Sequence, residues 1–243
     1  MIGGTWPTTV PDRKTTSSLS RVAGLMVVLP VFLQAPWVRI HPFSAVLFTA
    51  VFMLAGVLLH LSGSDRPGAE RRAEIGSLLV GFSGSWLAGC VFWGWMRAHP
   101  LLHLPIEAFA LPLALAGLNS RWRLAAAFYL ASLVGTACTD LTMALTGVMP
   151  FWPAVVNAPL GDASLLLHDA AAQLMKPQQL LILSAAAWSL LQASRWLKSD
   201  DHLNSEQTSE TFAMTASVLT TTLWVDGLFL LAALLQPSLS GLI

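Results

Sequence analysis

The stretch Ser85–Leu115, SWLAGCVFWGWMRAHPLLHLPIEAFALPLAL, decides how the chain is read. Two apolar segments meet in it at a short polar turn holding Arg97, His99 and His103. Glu107 follows, within sequence otherwise apolar enough for the lipid core. Ionisable groups are costly to bury there, so by default they mark a site or a paired bundle interior. Trp86, Cys90, Trp93 and Arg97 recur at helical spacing and share one face. Ser77, Gly81, Ser85 and Gly89 take every fourth position on another, and small residues so spaced let two helix backbones approach closely.

Outward from this stretch the chain keeps the same character. Of 243 residues, 55% are hydrophobic and 11% charged, against about 25% charged in a soluble domain. Mean hydropathy is +0.64. Apolar runs of about 20 residues, enough to span a bilayer, recur along the length. In lipid only helices and closed barrels satisfy their own backbone, and continuous rather than alternating runs select helices. The expected fold class is therefore all-α, a polytopic transmembrane helical bundle whose first partner is the lipid bilayer. A formal net charge of zero implies no nucleic-acid partner. Cys90 and Cys138 both fall inside expected spans and read as small apolar packing residues, with neither a disulfide framework nor a metal-binding Cys pattern around them.

Seven spans are expected, near 22–37, 42–62, 75–96, 101–118, 124–149, 177–197 and 211–235. Residues 1–20 are polar and expected as a disordered cytoplasmic tail, 21–236 as one transmembrane domain, and 237–243 as a short C-terminal tail. Arg13, Lys14 and Arg21 before a short apolar run also suit a signal peptide, but Leu33-Gln34-Ala35 is a poor cleavage site, and a retained first span is preferred. Pro105 suits a first helical turn, while Pro112 frees the carbonyl of Ala108 and should kink the fourth span. The linker Pro150–Lys176 contains GDASLLLHDAAAQLMK, expected as a short interfacial helix capped by Asp162 or Ser164. The polar loops SGSDRPGAERR and KSDDHLNSEQTSE separate spans, and no internal repeat is evident.

Charge then sets orientation. Taking alternate sides, one holds Arg13, Lys14, Arg21, Arg66, Arg71, Arg72, Arg121, Arg123, Arg195 and Lys198, and the other Arg39, Arg97 and Lys176, ten against three. The N-terminus is expected in the cytoplasm. At 1.5 Å per residue Glu107 then lies ~9 Å below the outer end of its span, and Asp140 and Asp226 ~14 Å below theirs. Arg97, His99 and His103 sit above them. Thr136 and Thr139 accompany Asp140 on one side of the fifth span, and Thr215 and Thr222 accompany Asp226 in the seventh, with Leu219 interrupting that stripe. His103 and Glu107 form an i,i+4 pair.

The candidate site is thus Glu107, Asp140 and Asp226, with His103 and Arg97 at its outer mouth and Thr136, Thr139, Thr215 and Thr222 in support. Such groups could bind and release protons, ligate a cation, or act as general acid or base on a lipid-soluble substrate. A lone intramembrane Asp also serves simply to hydrogen-bond a neighbouring helix, and His99 and His103 fit ordinary interfacial roles. Most of the ten tryptophans fit an aromatic belt. No diphosphate-binding DxxxD, nucleophile elbow, P-loop or HExxH pattern is present, which disfavours enzymes that depend on them. No cofactor and no specific metal follows from the residues.

At WLAGCVFWGWMRAHPLLHLPIEAFALPLAL and at FYLASLVGTACTDLTMALTGVMPFW the chain resembles a cyanobacterial integral-membrane family known only as a domain of unknown function, family thirty-one-twenty. The resemblance runs from about Pro36 to the linker after Trp152 and is most specific at Trp93-Gly94-Trp95, His103-Leu104-Pro105, Glu107, Gly135-Thr136 and Thr139-Asp140. It implies the plasma or thylakoid membrane of a cyanobacterium and no activity. Pro105-Ile106-Glu107 is also similar to the Pro-x-Glu motif of small heterodimeric-type lycopene cyclases, which carry a second acidic residue where this chain has Ala108. Three functions are weighed: handling of a small solute or ion through the carboxylates; an isoprenoid- or carotenoid-modifying enzyme with Glu107 as acid; and a photosynthetic-membrane assembly or scaffold protein whose charges pair with membrane-protein partners.

Overall fold

The computed structural model describes residues 13–62, 68–199 and 206–235. Most of the expected N-terminal tail, the middle of each polar loop and the C-terminal tail lie outside the described residues. Helices run α1 (Arg13–Leu29), a π-turn (Pro30–Gln34) and α2 (Ala35–Ile40), then α3 (Pro42–Leu61) and α4 (Ala69–Val91). A second π-turn (Phe92–Met96) follows, and then α5 (His103–Glu107), α6 (Leu111–Gly117), α7 (Arg123–Leu145), α8 (Phe151–Asn157), α9 (Leu160–Leu174), α10 (Pro177–Leu197) and α11 (Glu206–Leu235). No strand occurs among the described residues. Seven helical stretches are long and apolar enough to cross a membrane, and they match the expected spans with the first extended to Ser18–Ile40. Helix α1 starts at Arg13, so it reaches back into the segment expected as tail.

The bundle is held by close backbone approach as much as by apolar bulk. Between lipid-soluble helices there is little hydrophobic drive, so packing and hydrogen bonds carry association. On α4, Gly76 lies against the backbone of α3 at Gly56 and His60. Gly81 sits on the backbone of α7 at Ala125, and Ser77 Oγ accepts from the Ala125 N–H at 3.1 Å. The small-residue stripe of α4 therefore faces α7 at one end, while its far member, Gly89, faces Gln34 of the first span. Leu19, Leu78, Phe82, Trp86, Phe128, Met214 and Val218 fill the centre. Large apolar side chains on other faces are open, such as Leu47 at 70% and Leu113 at 75% exposure, as lipid-facing positions should be.

Two ends can be told apart. At one, Arg71 bonds Ser18 at 2.7 Å and His60 stacks on Trp122 at 4.1 Å. At the other, Trp152 of α8 donates its indole N–H to the Arg97 carbonyl at 2.7 Å and packs on Trp93 at 5.5 Å. Two details differ from the sequence reading. The linker holds two helices, α8 and α9, and α9 begins at Leu160 after Pro159 with no side-chain cap bond, because proline already presets the entry. Asp162 falls in its first turn instead, where the helix dipole favours a carboxylate.

Candidate functional site

The fourth span is broken where its prolines require. Pro112 has no N–H for the Ala108 carbonyl, and the chain tightens into a 3-10 turn over Ala108–Ala110 before restarting as α6. The break leaves Glu107 at the end of a short helix with an orphaned carbonyl. Tyr129 of α7, the chain's one tyrosine, repairs it. Its hydroxyl donates to the Glu107 carbonyl and accepts the Ala110 N–H at 3.1 Å. Glu107 is thereby anchored by its backbone while its side chain turns to His103.

His103 lies between two carboxylates. Its Nε2 is 3.4 Å from Glu107 Oε1 and its Nδ1 is 3.1 Å from Asp140 Oδ1. The ring stacks on Phe92 at 4.2 Å and 28°, which the second π-turn brings into place. A neutral imidazole has one N–H, so donating to both acids at once takes the imidazolium. The group can therefore pass a proton among three side chains without moving its backbone. Asp226 of α11 is held from the neighbouring position on α7, where Thr139 Oγ1 donates to Asp226 Oδ2 at 2.6 Å.

All three carboxylates line one cavity of about 550 Å³, with His103, Thr136, Thr139 and Thr222. The structure does not bring Arg97 or Thr215 into it. Arg97 contributes its backbone carbonyl to Trp152, and Thr215 bonds back to the Thr211 carbonyl at 2.8 Å within its own helix. His99 is exposed and also outside. Gln34 was missed by sequence reasoning. Pro30 forces a π-turn in which the Ala35 N–H reaches back to the Pro30 carbonyl, and this turns Gln34 inward to 1% exposure. There its amide donates to the Trp86 carbonyl and to Cys90 Sγ. Proline one turn before a glutamine was the available signal; for Tyr129 it was a lone tyrosine under two turns into the helix that follows a proline-rich span.

Among the described residues no three His, Cys, Asp or Glu side chains form a group able to hold a metal ion. Both ring nitrogens of His103 are turned to carboxylates, so neither lone pair is offered.

A family model described as "Protein of unknown function (DUF3120)" matches residues 23–234. The match extends well past the Pro36–Trp152 region in which the resemblance was legible and takes in the last span. No curated protein and no solved structure matches the chain.

Proposed function

The chain belongs to the DUF3120 family, a membership that carries no activity, and we propose from the site alone that it handles protons together with a small solute inside the membrane. The observation that carries this reading is His103 within reach of both Glu107 and Asp140, in a cavity that Asp226 also lines. Carboxyl groups that share an imidazole can take up and give back protons as a ligand enters or leaves. In this reading the N-terminus is cytoplasmic and the cavity opens in the opposite half of the membrane, as the ten-to-three charge asymmetry argues. The test counts protons carried into liposomes holding the purified chain under an imposed pH gradient, with protein-free liposomes subtracted. Glu107→Gln, Asp140→Asn and Asp226→Asn should each lower the count. A wild-type count in all three variants sinks the reading.

A second reading is an isoprenoid- or carotenoid-modifying enzyme with Glu107 as acid. It is favoured by the mainly apolar lining of the cavity, including Phe82, Phe128, Leu183 and Phe229. A deletion strain that accumulates a lipid precursor would support it, and an unchanged pigment and lipid profile counts against it.

A further inference from the structure

The chemistry of the cavity wall selects a ligand more narrowly than "small solute". The three carboxyl groups offer six oxygens, and the described residues supply hydrogen bonds or ion pairs to Glu107 Oε1, Asp140 Oδ1 and Asp226 Oδ2 alone. Ser85, Ser132 and Thr136 also line the space, and their hydroxyls have no protein partner among the described residues. Among the described residues no lysine or arginine lines the cavity, and its one histidine, His103, is already committed to two acids. An anionic solute would meet three carboxyl groups and no uncommitted cation.

The rest of the wall is aromatic and aliphatic. Phe92 stacks on His103, Trp93 packs on Phe92 and Trp152 on Trp93, and Phe128 and Phe151 line the space as well. Ring faces attract cations as well as apolar surface. A volume of about 550 Å³ is that of a site for an organic molecule, far beyond a bare ion. A neutral isoprenoid would fill the apolar part but bring no donor to the open carboxylate oxygens.

We propose that this cavity binds a monovalent organic cation: a protonated amine on an apolar, ring-sized body. The ammonium supplies donors to the open carboxylate oxygens of Asp226, Asp140 and Glu107, and the body lies among Phe92, Trp93 and Trp152, the rings that continue from His103. The inference rests on the proton-and-solute reading above and narrows its solute.

Three near-isosteric probes separate charge from shape: tryptamine, cationic at pH 7.5; tryptophol, neutral; and indole-3-propionate, anionic. Each is titrated calorimetrically into the full chain in lipid nanodiscs, with empty nanodiscs subtracted. Tryptamine should bind at least about ten-fold tighter than tryptophol, as an added charge-assisted contact allows, and indole-3-propionate should not exceed the empty discs. Asp226→Asn should weaken tryptamine by a similar factor and leave tryptophol unchanged. Equal binding of tryptamine and tryptophol, or no binding of tryptamine above empty discs, overturns the proposal. The proton count of the same variants in liposomes keeps the two readings apart. A count that still falls in the carboxylate variants, without preference for tryptamine, overturns the cation and leaves proton handling in place; loss of both overturns both.

Discussion

The Tyr129 hydroxyl donates a hydrogen bond to the backbone carbonyl of Glu107, the residue whose side chain faces His103. The bond crosses from an intact helix to a broken one. It fills the gap that Pro112 opens, so the same feature that weakens the fourth span positions its acid.

Tyr129→Phe keeps the ring, its edge-on contact with Phe109 at 6.4 Å included, and removes the hydroxyl. The Glu107 carbonyl and the Ala110 N–H then lose a shared partner. The expected cost is about 1–2 kcal/mol, between the small values typical of membrane hydrogen bonds and the penalty for an unsatisfied buried group. Unfolding in mixed detergent measures it. Wild-type stability would mean that the backbone re-pairs within the span.

The imidazole reports its partners. Nitrogen resonances of His103 should shift in Glu107→Gln and in Asp140→Asn, since each replaces a carboxylate 3.1–3.4 Å away by a neutral amide. They should move much less in Asp226→Asn, because that carboxyl is held by Thr139. Equal shifts in all three variants would contradict this pairing.

Thr139→Val removes the donor to Asp226 and nearly conserves volume. A loss of about 0.6–1.7 kcal/mol is expected, the range for side-chain hydrogen bonds between membrane helices. Thr139→Ser should restore most of it. If Ser and Val behave alike in the same unfolding assay, the methyl and not the hydroxyl matters at this position.

Glycines separate packing from composition. A Cβ at Gly81 would run into the Ala125 backbone, which cannot turn aside, whereas one at Gly227 meets nothing within 4 Å. Gly81→Ala should cost about 1–3 kcal/mol through overpacking. Gly227→Ala should be neutral or stabilising by up to about 1 kcal/mol, through helix propensity. Thermal melts of the two variants side by side check both signs.

Orientation has its own test. With Cys90 and Cys138 replaced, a single cysteine at Asn119 should react with an impermeant reagent only after the membrane is opened. One at Asn157 should react from outside. The reverse pattern would overturn the arrangement argued from the positive charges.

Hydropathy alone determined that the chain is helical and how it is cut into spans, since the cost of leaving a backbone group unpaired in lipid leaves no other choice for such long apolar runs. It also marked Glu107, Asp140 and Asp226, because a carboxyl at that depth stands out against its surroundings. Their meeting was not legible. Which helices are neighbours depends on contacts between residues far apart in the chain, such as Gly81 on Ala125 and Thr139 on Asp226. The same packing left Arg97 and Thr215 outside the cavity, although one-dimensional spacing put both near it. It brought Gln34 to the cavity wall and Tyr129 to the Glu107 carbonyl, roles that come from a π-turn and a helix break that periodicity, which assumes an unbroken 3.6-residue helix, does not register.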